Sequence, residues 1–151
     1  MWLTRECDYG LVVLVFLGTE GKGRVASCEE MSDRLSIPYD FLAKILQNLC
    51  RSGLVASKRG AHGGYLLTRD LSAIRLTDVI RAVDEPPLLV DCVEPEACRC
   101  PRLSRCVLVE PMRALHQRLA AVLDSITIDD LVSPSPEEQP SAVQGAAPDA
   151  R

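Results

Sequence analysis

Four cysteines in the second half of the chain have the spacing of metal ligands. Cys92, Cys98, Cys100 and Cys106 fall within 15 residues and are separated by five, one and five residues. Prolines and charged residues lie between them, so the segment cannot be a packed core and is interpreted as a ligand loop. Thiolates are soft ligands that select zinc, copper(I) or iron-sulfur clusters, and such intervals let one loop wrap around a cluster.

The intervals favour an iron-sulfur cluster over zinc. Structural zinc sites use pairs of cysteines that are two to four residues apart, a pattern that this loop fits poorly. A structural zinc that holds the loop together is the alternative. Of the other cysteines, Cys28 and Cys50 are interpreted as small buried hydrophobic residues of helices, and the role of Cys7 is open.

Composition indicates a cytosolic protein that is not an enzyme. Seven cysteines behind a charged amino terminus favour metal or redox chemistry over disulfides, and the longest apolar stretch, residues 11–17, is too short to span a membrane. Cys98-Arg99-Cys100 suggests a thiol-disulfide enzyme, but no thioredoxin-like pattern accompanies it. Neither of the two histidines lies in a recognisable catalytic arrangement.

The elements that must position the cysteine loop begin with a helix-turn-helix. Apolar periodicity predicts a helix over residues 8–18, and Ser27 with Glu30 forms a capping box for a second helix that ends near residue 35. Pro38 is expected as the first residue of a third helix, which Gly53 closes with a left-handed cap.

A wing is predicted directly after the third helix. Residues 54–57 and 65–68 form two short strands around a glycine-rich turn, and Thr77 is expected to cap a short helix over residues 78–83. The predicted fold class is mostly α with a small β-hairpin wing: a winged helix-turn-helix plus a long dimerisation helix. Residues 1–84 form the DNA-binding domain.

Charge is distributed as a DNA-binding surface requires, although the chain as a whole carries a net charge of -4. Residues 41–69 contain five basic residues and no acidic one, and such a local stripe matters more than the total. An ordinary solvated face is the alternative. Arg59 at the wing tip is the strongest candidate, because an arginine there can enter a narrow minor groove. The candidate DNA contacts are Tyr39, Asp40, Ala43, Lys44, Arg51, Lys58, Arg59, Gly60 and His62.

Beyond residues 85–106, the cluster-binding loop, residues 107–132 are predicted to hold a dimerisation helix and a short C-terminal segment. The apolar residues of this helix are spaced as in a coiled coil. A helix that lies on its own domain is the alternative. Proline, serine and glycine after residue 133 predict a disordered tail over 133–151. The coiled-coil positions are Leu108, Met112, Leu115, Leu119, Val122 and Ile126.

Several of these motifs together resemble the IscR/NsrR-type winged-helix regulators. The resemblance covers about residues 1–132 and rests on Leu3-Thr4, Asp8-Tyr9, the later cysteines and the wing. The wing reads Leu54-Val55-x-Ser57-x-Arg59-Gly60-x-x-Gly63-Gly64-Tyr65-Leu66-Leu67. The resemblance implies a homodimer that binds a partly palindromic operator in double-stranded DNA. It also implies a [2Fe-2S] or [4Fe-4S] cluster, held by three loop cysteines of one subunit and a fourth ligand.

The same resemblance implies which residues hold the cluster: Cys92, Cys98 and Cys106. Cys100 is additional to the family pattern and could replace Cys98. Where IscR-like members have a histidine as fourth ligand, this chain has Val109. In NsrR-like members the fourth ligand is an acidic residue near the amino terminus of the other subunit, and Asp8 is similar to it in position. Asp8 is therefore the expected fourth ligand, and Cys100 is the next choice. A simple helix cap is the alternative role for Asp8.

The helix that should read DNA departs from the family pattern at two positions. Ala43 replaces a glutamate and Pro38 replaces a serine, so the operator sequence cannot be transferred. We expect a transcriptional regulator whose operator affinity is controlled by a cluster that senses redox state, nitric oxide or cluster status. The alternative is a winged-helix DNA-binding protein with a structural zinc or no metal, either constitutive or thiol-regulated.

Overall fold

The computed structural model describes residues 3–60, 62–84, 90–93, 98 and 100–133. It has the predicted fold class, a mostly helical winged helix-turn-helix with a two-stranded antiparallel hairpin. None of the described helices is long and apolar enough to cross a membrane. The elements are α1 (Arg5–Gly18), α2 (Cys28–Leu35), α3 (Tyr39–Arg51), β1 (Val55–Lys58), β2 (Gly64–Leu67), α4 (Leu76–Val83), α5 (Val109–Ser125) and α6 (Ile128–Val132).

The first helix begins earlier than its apolar periodicity predicted. Thr4 is the N-cap of α1, and its hydroxyl accepts a hydrogen bond from the backbone N–H of Cys7 at 3.3 Å. Asp8 therefore lies inside the first turn, where a negative charge is favourable near the positive end of the helix dipole. The alternative role of Asp8 as a helix cap is wrong, and its carboxylate lies exposed on the surface.

The starts of α2 and α3 correct two details of the prediction. Ser27 caps α2 by accepting from the N–H of Glu30, but the Glu30 carboxylate binds Arg24 instead of returning to the cap. Only half of the predicted capping box therefore forms. Pro38 is the N-cap of α3 rather than its first helical residue.

The junction of α3 with the wing is fixed by a Schellman motif. Gly53 has φ +73°, its N–H donates to the carbonyl of Cys50 at 3.1 Å, and the N–H of Leu54 donates to the carbonyl of Leu49 at 3.0 Å. This is the left-handed cap that the sequence predicted, and glycine takes that conformation without a Cβ clash. It sends the chain directly into β1, so the position of the wing follows from the end of α3.

The base of the wing is hydrogen-bonded to Ala26, which precedes the N-cap of α2. Tyr65 and Ala26 exchange two backbone hydrogen bonds of 2.8 and 2.9 Å. A Cβ at Gly64 would lie 2.2 Å from the Ala26 carbonyl oxygen, which is closer than any real side chain approaches. The second glycine of the Gly63-Gly64 pair is thus required by this close approach.

The short helix after the wing is capped differently from the prediction. Arg75 is the N-cap of α4, and its backbone N–H donates to the carboxylate of Asp78 at 3.2 Å. The predicted cap, Thr77, lies buried in the first turn of α4. Its hydroxyl instead donates to Asp124 of α5 at 2.7 Å, an interaction between residues that are distant in sequence.

After α5 the chain returns to the winged-helix core. The N–H of Leu76 donates to the carbonyl of Ile126, and the N–H of Ile128 donates to the carbonyl of Ile74, both at 2.9 Å. The Ile128 side chain is fully buried. The division of the chain at residue 107 remains a prediction, and the predicted tail lies outside the described residues after Ser133.

The core is formed mainly by α1, α3 and α4, which pack against one another. Helix α5 contributes no fully buried residue and contacts α4 and the 3-10 turn Asp91–Val93. Burial is the main source of stability in such a small domain, so α3 is held in place by the core. The largest fully buried side chains are those of Leu14, Leu17, Met31, Leu42, Ile45, Leu46, Leu49, Leu54, Ile74 and Ile128.

Candidate nucleic-acid interface and cysteine loop

Helix α3 buries one face and presents the other to solvent. The predicted DNA contacts Tyr39, Asp40 and Lys44 lie on the exposed side, whereas Ala43 is half-buried. Tyr39 is 55% exposed at the first helical position, which is unusual for a large aromatic side chain. The side chains near the start of such a helix are those that reach base edges when it enters the major groove.

The wing presents a second exposed basic group beside α3. Lys58, Arg59, Gly60 and His62 are all exposed, and the N–H of Gly63 donates to the carbonyl of Gly60 at 2.9 Å. This bond closes the turn that displays Arg59 and His62. The wing tip is therefore exposed to solvent, while the hairpin that carries it is held at its base by the backbone bonds between Tyr65 and Ala26.

Most cations of this surface are not engaged by carboxylates. Among the described residues, Lys44, Lys58 and Arg59 form no ion pair, whereas Arg24 and Arg34, which lie outside α3 and the wing, bind Glu30 and Glu20. Unpaired cations keep their full charge available for phosphate contacts.

Arg51, the last residue of α3, is exposed, and its guanidinium contacts the side-chain oxygen of Asn48 at 3.4 Å. This weak local bond does not neutralise its charge. Arg51 therefore extends the basic surface along α3.

The cysteine loop lies outside the core. Cys92 sits in the 3-10 turn Asp91–Val93, and Cys106 follows the 3-10 turn Leu103–Arg105. Cys92, Cys98 and Cys106 are half-buried, Cys100 is exposed, and all four are free thiols. Within the described part of the chain, no three Cys, His, Asp or Glu side chains lie close enough to share a metal ion, so the predicted ligand set, including Asp8, remains a prediction.

The donor chemistry of the loop fits an iron-sulfur cluster. Four free cysteine sulfur atoms lie outside the hydrophobic core, and cysteine sulfur is the ligand that such clusters require. The other three cysteines pack in or against the core. The chain thus separates cysteines suited to ligation from cysteines that serve as apolar side chains.

Burial distinguishes Cys7 most clearly from the loop cysteines. Its side chain is 1% exposed, and burial, with smaller effects of Asp84 and Asp8, raises the pKa of Cys7 to about 11. Burial also raises the pKa of Cys28 and of Cys50. Because the thiolate is the form that binds metals, these residues are poor ligands at neutral pH. The interpretation of Cys28 and Cys50 as hydrophobic residues agrees with their packing against the core.

Two contacts that the sequence did not reveal attach α5 to its surroundings. Near its start, the Nε of Arg113 donates to the carbonyl oxygen of Cys92 at 3.2 Å. Near its end, Asp124 accepts from Thr77 and forms an ion pair with Arg75. The Thr77 hydroxyl and the Arg75 guanidinium hold the pKa of Asp124 below its ordinary value, so its carboxylate stays ionised to a lower pH than that of a free aspartate.

Helix α5 also carries a row of exposed apolar side chains. Leu108, Leu115 and Val122 are seven residues apart and are 57%, 44% and 57% exposed. The other three coiled-coil positions, Met112, Leu119 and Ile126, are half-buried. Spacing of seven residues places side chains on one face of a helix, so the exposed row forms a continuous apolar strip.

A winged helix-turn-helix with unpaired cations on α3 and the wing defines a DNA-binding transcriptional regulator. The chain belongs to the Rrf2 family, described as iron-dependent transcriptional regulators, whose family model matches residues 3–134. Members of this family are DNA-binding transcriptional regulators and not enzymes. The resemblance to IscR-type regulators is thereby confirmed.

Relatives of known sequence or structure agree with this assignment. Protein aau3 of Rhizobium meliloti is 33% identical over 137 residues, which cover 91% of this chain and 88% of the relative. Among solved structures, IscR of T. potens is 27% identical, with a TM-score of 0.65 and 93% of each chain covered. CymR, the global cysteine regulator of B. subtilis, is also 27% identical, with a TM-score of 0.65 and coverage of 88% of this chain and 97% of CymR.

The difference between buried and loop cysteines predicts their order of alkylation. In reduced, metal-free protein at pH 8, a pKa of about 11 leaves only about one Cys7 in a thousand as thiolate. Iodoacetamide should therefore modify Cys100 first and Cys7 last, as followed by mass spectrometry of peptides. The same reaction in denaturant is the control and should remove the difference; rapid labelling of Cys7 in the folded protein would contradict the assignment.

Proposed function

We propose that this regulator binds its operator as a homodimer and that a cysteine-ligated iron-sulfur cluster controls its affinity for DNA. The observation that carries this proposal is a loop of four free thiols outside the core, next to a helix with an exposed apolar strip. The description of the family as iron-dependent and the similarity to IscR support the choice of iron. Because its target is DNA, we propose the cytoplasm as its location.

DNA recognition is assigned to α3 and the wing. Tyr39, Asp40, Ala43 and Lys44 would face the major groove, where base edges can be read. Arg51 and Lys58 would contact phosphates, as cations at the margins of such interfaces do. Gly60 and His62 would follow the backbone beside Arg59, which would enter the minor groove. These nine residues are the proposed DNA-binding set.

Dimerisation is assigned to α5. The apolar strip of Leu108, Leu115 and Val122 is left without a covering element in the described part of the chain, and its seven-residue repeat matches the face that a second copy of the same helix covers. A twofold dimer would hold two α3 helices at a fixed separation. That separation must match about one turn of DNA, ~34 Å, which accounts for a partly palindromic operator.

The cluster is assigned to Cys92, Cys98 and Cys106. Asp8 of the partner subunit is proposed as the fourth ligand and Cys100 as the alternative. When bound, a [2Fe-2S] or [4Fe-4S] cluster supplies a centre that responds to redox state, nitric oxide or cluster supply. The loop residues hold it, and their contact with α5 gives a route from the loop to the dimer helix.

A second candidate is a regulator that responds through its thiols or holds a structural zinc. It is favoured by the similarity to CymR, which is named a cysteine regulator. Free, partly accessible thiols suit both a loop that binds a cluster and a loop that responds through its thiols or holds zinc. The two candidates differ in metal content and in the response of DNA binding to cluster loading.

Arg59→Ala should weaken operator binding by about 1–3 kcal/mol, because it removes a cation that would be inserted in the groove. Fluorescence anisotropy at several salt concentrations measures the affinity, and the salt slope should fall by about one. Arg118→Ala, which removes the same charge from α5, is the control and should change affinity little. Equal losses in the two variants would refute the specific role of Arg59.

Leu115→Glu should dissociate the dimer, because the interface would bury an unpaired carboxylate. Sedimentation equilibrium should show an increase in the dimer dissociation constant of at least about tenfold, equivalent to roughly 1.4 kcal/mol. Gln117→Glu places the same charge elsewhere on α5 and should leave association nearly unchanged. A Leu115→Glu protein that associates as the native protein does would exclude this face as the interface.

Cys106→Ala should abolish the difference in operator affinity between cluster-loaded and metal-free protein, since it removes one of the three proposed loop ligands. Cys50→Ala, at a half-buried cysteine outside the loop, is the control and should keep the response. Operator binding is measured without oxygen before and after cluster removal. An unaltered response in the Cys106→Ala variant would overturn the cluster proposal.

A further inference from the structure

One side chain joins the cysteine loop to α5. The guanidinium of Arg113 donates through Nε to the backbone carbonyl of Cys92 at 3.2 Å and through a terminal nitrogen to Glu110 at 2.9 Å. The Arg113 side chain is 28% exposed, so it is largely covered, whereas Glu110 is 81% exposed. The planar guanidinium presents its N–H donors in a fixed arrangement and so holds both partners at once, whereas the lysine ammonium is a compact charge on a flexible stem.

The bond to Cys92 is directed at the backbone rather than at the sulfur atom. Cys92 lies in the 3-10 turn Asp91–Val93, in which the N–H of Val93 donates to the carbonyl of Val90 at 3.2 Å. A bond from Arg113 therefore fixes the main chain of the turn and leaves the sulfur free for another partner. The turn also packs on α5.

Helix α5 connects this contact to the DNA-binding domain. Arg113 and Asp124 are eleven residues apart, about 16 Å along a helix that rises 1.5 Å per residue. Asp124 binds Thr77 and Arg75 at the start of α4, and α4 packs on α3. Packed helices shift as rigid elements, so a displacement of the Cys92 turn can reach α3 through these contacts.

We propose that Arg113 is a positioning residue that ties the main chain of the Cys92 turn to α5 and thereby transmits a change in the cysteine loop to the DNA-binding domain. This inference rests on the proposed function for what changes the loop, but the tether itself exists without any cluster. A change at the loop that moves Cys92 must either carry Arg113 with it or break the bond. In both cases α5 is repositioned or released at its loop end.

The tether is tested by hydrogen exchange of metal-free protein. Arg113→Gln should accelerate amide exchange in the peptide that contains residues 90–93 by roughly five-fold, the effect of losing one hydrogen bond on local opening. Arg113→Lys, which keeps the charge, should show part of this effect. Arg118→Gln, an exposed arginine of the same helix, is the matched control and should leave exchange unchanged. Native exchange rates in Arg113→Gln would overturn the tether.

Transmission is tested by the ratio of operator affinities of cluster-loaded and metal-free protein. In Arg113→Gln this ratio should fall toward one while both forms still bind DNA; in Arg118→Gln it should equal the native ratio. Faster exchange with an unchanged ratio would show a purely structural role and overturn transmission. If the native protein itself shows no response to cluster removal, the proposed function and transmission both fail, and the exchange result alone decides whether Arg113 is a tether.

Discussion

The far end of α5 is positioned by a partly buried contact at the start of α4. Thr77 is buried there and directs its hydroxyl to Asp124, while Arg75 neutralises the same carboxylate. A buried hydroxyl needs a hydrogen-bond partner, and Asp124 provides it for Thr77. Two backbone bonds, from the N–H of Leu76 to the carbonyl of Ile126 and from the N–H of Ile128 to the carbonyl of Ile74, continue the junction. A helix with no fully buried side chain of its own is thus held against the core at its far end.

This junction explains how a single small core can serve two surfaces. On one side α4 packs on α3, which presents its polar face and the wing for DNA. On the other side α4 holds the end of α5, which presents an apolar strip and contacts the cysteine loop. Because α4 lies between them, the proposed sensor and the DNA surface share one packed element rather than a flexible linker.

Much of the fold could be predicted because its signals are local in sequence. The apolar periodicity of α3 and the left-handed glycine at Gly53 each depend on residues within a few positions of one another, and the glycine-rich turn of the wing is a local signal of a hairpin even though Gly64 also meets the distant Ala26. The wing motif also identified the family correctly. The start of α1 was missed because Thr4 precedes charged residues that carry no apolar periodicity, so only its capping hydrogen bond marks the boundary.

The remaining features depend on contacts between distant residues. Thr77 resembles a helix cap in sequence, and its true partner Asp124 lies 47 residues further on. Arg113 is an ordinary cation of an amphipathic helix until its bond with the carbonyl of Cys92 is seen. The burial of Ile128 likewise follows from a return of the chain that no local pattern encodes. The candidate ligands and DNA contacts were found by residue type and resemblance, and their roles remain predictions.

The measurement that tests the central claim most directly is the visible absorption spectrum of protein purified without oxygen, with iron, sulfide and zinc quantified in the same sample. Our account predicts a broad visible band together with iron and sulfide in matching amounts, because the loop cysteines supply thiolate ligands. Colourless protein with stoichiometric zinc would contradict it and favour a structural metal. Colourless protein without any metal would also contradict it and leave a thiol-responsive regulator.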